Sequence, residues 1–264
     1  MLALKLLLVP GFIACISMAG KRWGPSVAGL LAGMPVVVGP ILFLIALERG
    51  APFAAAAATS ALCAVFASVA FSLAYAWSCR RHSWPLALTA ALGAWLAAAA
   101  LLGRLPFSPF TALALALLTL GICPSLFPLP GPAGRAAPVS RAGLLMRMLA
   151  GAALTVAVTT LSASIGSTWS GLLAVFPVLG IVLSVFSHRA AGPDFVVALL
   201  ASMAAGLFSF VAFCFTLAVL LPQSTIAIAF PMAILATAVT QWAVKAYRKG
   251  RARQQPVIAD QERT

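Results

Sequence analysis

An all-α polytopic membrane protein is the fold this sequence predicts, with about nine transmembrane helices in two inverted-topology four-helix repeats joined by a linker helix. Three observations predict it. Apolar runs of about 18 residues or more, enough to cross roughly 30 Å of hydrocarbon, recur from end to end. Two stretches, about 5–76 and 147–218, match without a gap at a constant spacing of 142 residues. The basic residues gather in alternate loops. Hydrophobic residues make up 63% of the chain and charged residues 8%, with a mean hydropathy of +1.09. A soluble domain carries about a quarter charged residues, so no water-exposed surface can be built from this chain. The apolar runs are continuous rather than alternating, which excludes a barrel and leaves helices to satisfy the backbone in lipid.

Nine spans are expected, at about 2–20, 27–47, 53–78, 84–102, 105–127, 142–164, 170–187, 195–222 and 225–244. The first contains Ser17-Met18-Ala19, which is similar to a cleavage site. It is nonetheless read as retained, because it pairs with the sixth, Lys5 opposite Arg147 and Leu7 opposite Leu149. In the second and seventh, Gly29-Leu30-Leu31-Ala32 and Pro35-Val36 fall on Gly171-Leu172-Leu173-Ala174 and Pro177-Val178, while Gly24 falls on Gly166 just before. Gly50 and Phe53, at the start of the third, fall on Gly192 and Phe195 at the eighth. Phe66, Val69, Ala70 and Phe71 fall on Phe208, Val211, Ala212 and Phe213. The fourth and ninth match faintly, at Ala91/Ala233 and Ala94/Ala236, and the fifth is the linker. The expected organisation is a first repeat over 1–102, a linker helix and loop over 103–141, a second repeat over 142–245 and a basic tail over 246–264.

Four spans plus one is odd, so the second repeat enters the membrane from the opposite side. The charges agree. With an inside C-terminus, fourteen of the seventeen Lys and Arg fall inside and only Lys5, Arg49 and Arg104 outside. The expectation is a multi-pass protein of a bacterial inner membrane, N-terminus outside and C-terminus cytoplasmic. The net charge of +13 then reflects topology rather than nucleic acid. The cluster Lys245 to Arg253 suits anionic lipid head groups, at about 1 kcal/mol per near-surface charge. Five scattered cysteines read as packing residues.

Pro35 and Pro177 each lie seven or eight residues into a span, roughly 10–12 Å below the surface. A proline removes a donor and clashes with the carbonyl four residues back, here Leu31 and Leu173. Gly39 and Gly180 follow within a turn. Two interrupted helices entering from opposite faces would bring freed backbone groups together near the centre, as in secondary transporters; the plainer alternative is a pair of packed kinks. Thr155, Thr159 and Ser162 share a face of the sixth span, for bonds to their own helix, to a neighbour, or to a wet path. Gly29-x-x-x-Gly33 reads as close helix packing.

Acidic residues are confined to Glu48, Asp194, Asp260 and Glu262, none mid-span. The intramembrane carboxylate usual in cation-coupled transport is therefore missing. Glu48 and Asp194 flank the membrane as interfacial charges or gates. Arg147 either snorkels to the interface or, as a site residue, favours an anion. The sequence contains no catalytic, metal-ligand or phosphate-loop motif, so neither an enzyme nor a cofactor is expected.

Each half, with Gly-Leu-Leu-Ala-x-x-Pro opening its second helix, resembles the small GlpM-like bacterial inner-membrane proteins. In the second half the similar stretch is Trp169-Ser170-Gly171-Leu172-Leu173-Ala174-Val175-Phe176-Pro177, followed by Gly192. The resemblance covers about half the chain over both copies. It implies an inner-membrane accessory linked to envelope or glycerol-derived metabolism, and brings no catalytic or binding residues with it. This chain departs from that pattern in length, as two such units fused through an added span. The expected function is a permease for a small neutral, anionic or lipid-like solute by alternating access. The alternative is a non-transporting membrane partner in envelope biosynthesis.

Overall fold

The computed structural model describes residues 2–103, 105–129, 131, 140–164 and 176–261, with side chains over 6–103, 105–129, 131, 140–160 and 176–247. Ten helices make up the described chain: α1 (Leu2–Trp23), α2 (Pro25–Ala32), α3 (Val38–Arg49), α4 (Ala51–Ser78), α5 (Trp84–Leu102), α6 (Pro109–Leu126), α7 (Arg141–Ser164), α8 (Val178–Ala191), α9 (Pro193–Leu220) and α10 (Ile226–Gln261). There is no strand among the described residues. Seven helices, α1, α4, α5, α6, α7, α9 and α10, are long and apolar enough to cross a membrane.

Seven is fewer than the nine spans expected, and the difference has a local cause. The second span is not one helix. Its chain leaves helical geometry between Ala32 and Val38, where Gly33, Pro35 and three further residues intervene. The halves on either side, 8 and 12 residues, are each too short to cross. The seventh span is described only from Phe176, and its helix α8 has 14 residues. In contrast, the tail set apart at 246–264 continues α10 without a break to Gln261.

Turn chemistry fixes several helix starts. Gly50 and Gly192 precede α4 and α9 with φ of 88° and 82°, a left-handed region open to glycine, and each is followed by a proline in the first helical turn. In α6, the Ser108 hydroxyl accepts from Thr111 N–H at 3.2 Å and Thr111 Oγ1 accepts from Ser108 N–H at 2.9 Å, closing a capping box. Hydroxyls within the apolar helices return to their own backbone, as Thr59 to the Ala55 carbonyl (3.0 Å) and Thr237 to Ala233 (2.8 Å).

α4 and α9 are the most buried of the long helices. Each has 28 residues, and their first and last residues are both 142 apart; α5 and α10 also begin 142 residues apart. α4 and α9 pack together antiparallel. Arg80, just past the end of α4, lies 3.7 Å from Asp194 in the first turn of α9. At the other end, Ala54 and Ala58 share a core with Leu217, Ala218 and Leu221. α1 and α7 form a second antiparallel pair, with Ser17 meeting Arg147 and Ile13 meeting Gly151. Small residues allow these approaches. Gly29 and Gly33 face the backbone of α9 at Leu199, Met203 and Gly206, so the Gly-x-x-x-Gly pattern is a packing seam.

Most basic residues of both long pairs thus lie at one end. Lys21 and Arg147 line one cleft, Arg80 meets Asp194, and Arg189 stacks 5.8 Å from the Trp84 ring centroid. Arg49 sits at the opposite end, over Phe53. α6 packs on both α4 and α9. The chain after it is held at the basic end. Trp77 Nε1 donates to the Leu126 carbonyl (2.9 Å), Arg80 donates to that of Leu129, and Gly131 N–H donates to Asp194 (3.1 Å). Outward faces are rich in exposed apolar side chains such as Leu118, Leu235 and Trp242, as contact with a lipid bilayer requires.

Candidate functional site

A cavity of about 220 Å³ lies where the break after α2 meets the start of α8. Its walls come from α4 (Ala61, Ala64, Val65, Ser68), α9 (Met203, Leu207, Phe210) and α7 (Thr155, Val158, Thr159), with Val9 of α1 at one side. The remaining wall comes from the broken segments and the helices they start: Ala32 to Met34 with Val37, Val38 and Ile41, and Phe176 to Gly180.

Six lining pairs are related by the 142-residue spacing: Met34/Phe176, Val37/Leu179, Val38/Gly180, Ala61/Met203, Val65/Leu207 and Ser68/Phe210. No lining side chain carries a charge among the described residues; the polar ones are Ser68, Thr155 and Thr159. Thr155 Oγ1 donates to the Gly151 carbonyl at 2.7 Å, which leaves the oxygen able to accept. Helix ends supply the rest. α2 ends at the cavity with the negative end of its dipole, while α3 and α8 begin there with the positive end. The result is an apolar chamber bordered by helix ends and hydroxyls, with no formal charge among the described residues. It has room for a small organic molecule, since cavities of about 150 Å³ admit benzene.

Of the residues singled out from sequence, Thr155, Thr159, Pro177 and Gly180 line this cavity. Pro35 is buried in the break between lining residues Met34 and Val37. Leu31 and Gly39 do not line it. Leu31 packs on the core beside α9, and a Cβ on Gly39 would stand 3.3 Å from the Phe213 ring. Leu173 and the side chain of Ser162 lie outside the described residues.

The Leu31 carbonyl, expected to be freed by Pro35, accepts from Met34 N–H at 3.2 Å. The chain tightens by one residue and satisfies it before the proline is reached. In the same way, Pro35 and Pro177 accept from Gly39 N–H (2.8 Å) and Ile181 N–H (2.9 Å) to start the next helices. The groups presented to the cavity are therefore those of helix ends rather than a carbonyl stranded within a helix.

Glu48 and Asp194 lie outside the cavity, at opposite ends of α4. Glu48 is exposed on the last turn of α3. Asp194 is held by Arg80 and the Gly131 amide.

Sequence reasoning missed Ser68, Met34, Met203, Leu207 and Phe210. Their signal was present in the 142-residue register. These positions correspond between the two stretches but differ in residue type, whereas a search for repeats rewards identity. Comparison with known protein families, with characterised proteins and with solved structures finds no match to this chain.

Proposed function

We propose that this chain is a permease that carries a small, largely apolar solute with a neutral hydrogen-bonding group across the membrane by alternating access. Its architecture, in this reading, is nine spans in two inverted repeats, with α2–α3 and the segment ending in α8 as interrupted spans. The supporting observation is the cavity, in which six pairs of lining residues are related across the two stretches at one spacing. A cavity on an axis relating two antiparallel halves can open to either side by near-equivalent movements. Equal lengths of α4 and α9, and the antiparallel contacts of α1 with α7, support the same reading. Helix ends of both polarities, with no charged side chain, suit a hydroxyl or amide better than an ion.

The experiment is solute uptake into proteoliposomes, comparing small neutral hydroxylated or amide solutes with their carboxylate analogues. A neutral solute should equilibrate faster than through protein-free vesicles. Ala61→Phe, which fills the cavity from α4, should abolish that flux in protein that still inserts and melts normally. Flux unaffected by the phenylalanine, or none for any solute, would sink the reading in favour of a non-transporting role.

A further inference from the structure

Arg147 is the anomaly among the charged side chains. It lies two turns into α7, yet is only 6% exposed. A snorkelling arginine carries its guanidinium out to water; this one turns inward, 5.7 Å from the Phe186 ring centroid, and donates to Ser17 Oγ at 3.3 Å. A guanidinium has five N–H donors, and this is its one side-chain hydrogen bond among the described residues. No carboxylate reaches it there. Glu48 is exposed at the far end of α4, and Asp194 is held by Arg80 and Gly131. Burying a guanidinium without an opposite charge is costly, and the natural complement is an oxyanion.

The surroundings fit one. Arg147 lines a small cleft of about 20 Å³ together with Ser17, Lys21 and Ser187, from α1, α7 and α8. Two cations and two hydroxyls line it, with the Lys21 side chain exposed at its edge, a set of donors well matched to phosphate oxygens. The cleft is open to the outside, so an anion can place an oxygen in it without entering whole. We infer that this cleft is a phosphate-binding site at the basic end of the bundle, separate from the central cavity. It takes the oxyanion either of an anionic lipid head group or of free phosphate.

The test is thermal melting of the purified full chain in detergent, titrated with inorganic phosphate, with dioctanoyl phosphatidylglycerol, or with chloride at matched ionic strength. At least one phosphate probe should raise the melting temperature where chloride does not. Stabilisation by inorganic phosphate identifies a soluble ligand, and stabilisation by the lipid alone identifies a head group. Arg147→Gln should weaken the response at least about tenfold, the loss of a charge-assisted hydrogen bond, while Arg147→Lys retains part of it. Should Arg147→Gln fail to fold, Lys21→Gln combined with Ser187→Ala must weaken the response instead. The inference is overturned if neither phosphate probe exceeds chloride, or if the variants respond like the wild type. Neither result bears on solute flux through the central cavity.

Discussion

Gly33, in the break after α2, and Gly206, in α9, meet backbone to backbone. A Cβ on Gly33 would stand 2.7 Å from the Gly206 Cα, and one on Gly206 would stand 3.0 Å from the Gly33 Cα. Backbone cannot rotate aside as a side chain can, so either glycine replaced by alanine must push the broken segment from α9. Gly33→Ala and Gly206→Ala should each cost about 1–3 kcal/mol, the usual penalty of overpacking. Gly93→Ala, where a Cβ meets nothing within 4 Å, should stabilise by about 0.5–1 kcal/mol. Melting in detergent reads all three; equal behaviour would mean the close approach is not there.

The two prolines bear on the cavity directly. Pro35→Ala and Pro177→Ala each restore an N–H at a helix break. Stability should hold or rise, while activity per folded molecule falls as the cavity-lining helix ends reorganise. If stability and activity fall in proportion, the prolines serve packing alone.

The two acids at the ends of α4 should prove dispensable for folding. Asp194 and Arg80 are 43% and 35% exposed and 3.7 Å apart, so their pairing is screened by solvent. Asp194→Asn keeps an oxygen for the Gly131 amide and should change stability by less than about 1 kcal/mol. Glu48→Gln, on an exposed turn, should change nothing measurable. Loss of flux in either variant at normal abundance would reveal a gate.

The clustering of basic residues makes a topological prediction. In a background lacking the exposed Cys15, cysteines placed at Arg81 and Arg189 should label from one side of the membrane and a cysteine at Arg49 from the other. Labelling of Arg49 and Arg81 from the same side would contradict α4 as a spanning helix and remove the antiparallel frame.

The spans legible in sequence were those in which hydropathy alone decides structure. α4 and α9 fall within two residues of their expected ends, because continuous apolar runs in lipid have no alternative to the helix. The second span was read as a crossing that Pro35 either interrupts or kinks; the structure has the interruption, to which hydropathy is blind. Gly33 and Pro35 lie in an apolar run that reads as a crossing, yet local bonds close the first helix and begin another. The cavity was legible only through Thr155, Thr159, Pro177 and Gly180. The rest of its lining consists of apolar residues indistinguishable, in one dimension, from core. Arg147 was recognisable as unusual, but only the fold shows that its head turns toward Ser17 rather than to the surface.

The ties at the basic end carry a mechanical consequence. Trp77 and Arg80 grip the chain leaving α6, and Asp194 grips it again at Gly131, so one short stretch is fastened to both central helices at once. Any tilting of α4 against α9 must therefore turn about that fastening as a pivot. The longest lever arm, and the widest swing, would belong to the opposite end of the bundle, where α3 meets α10 through Phe43 and Phe230.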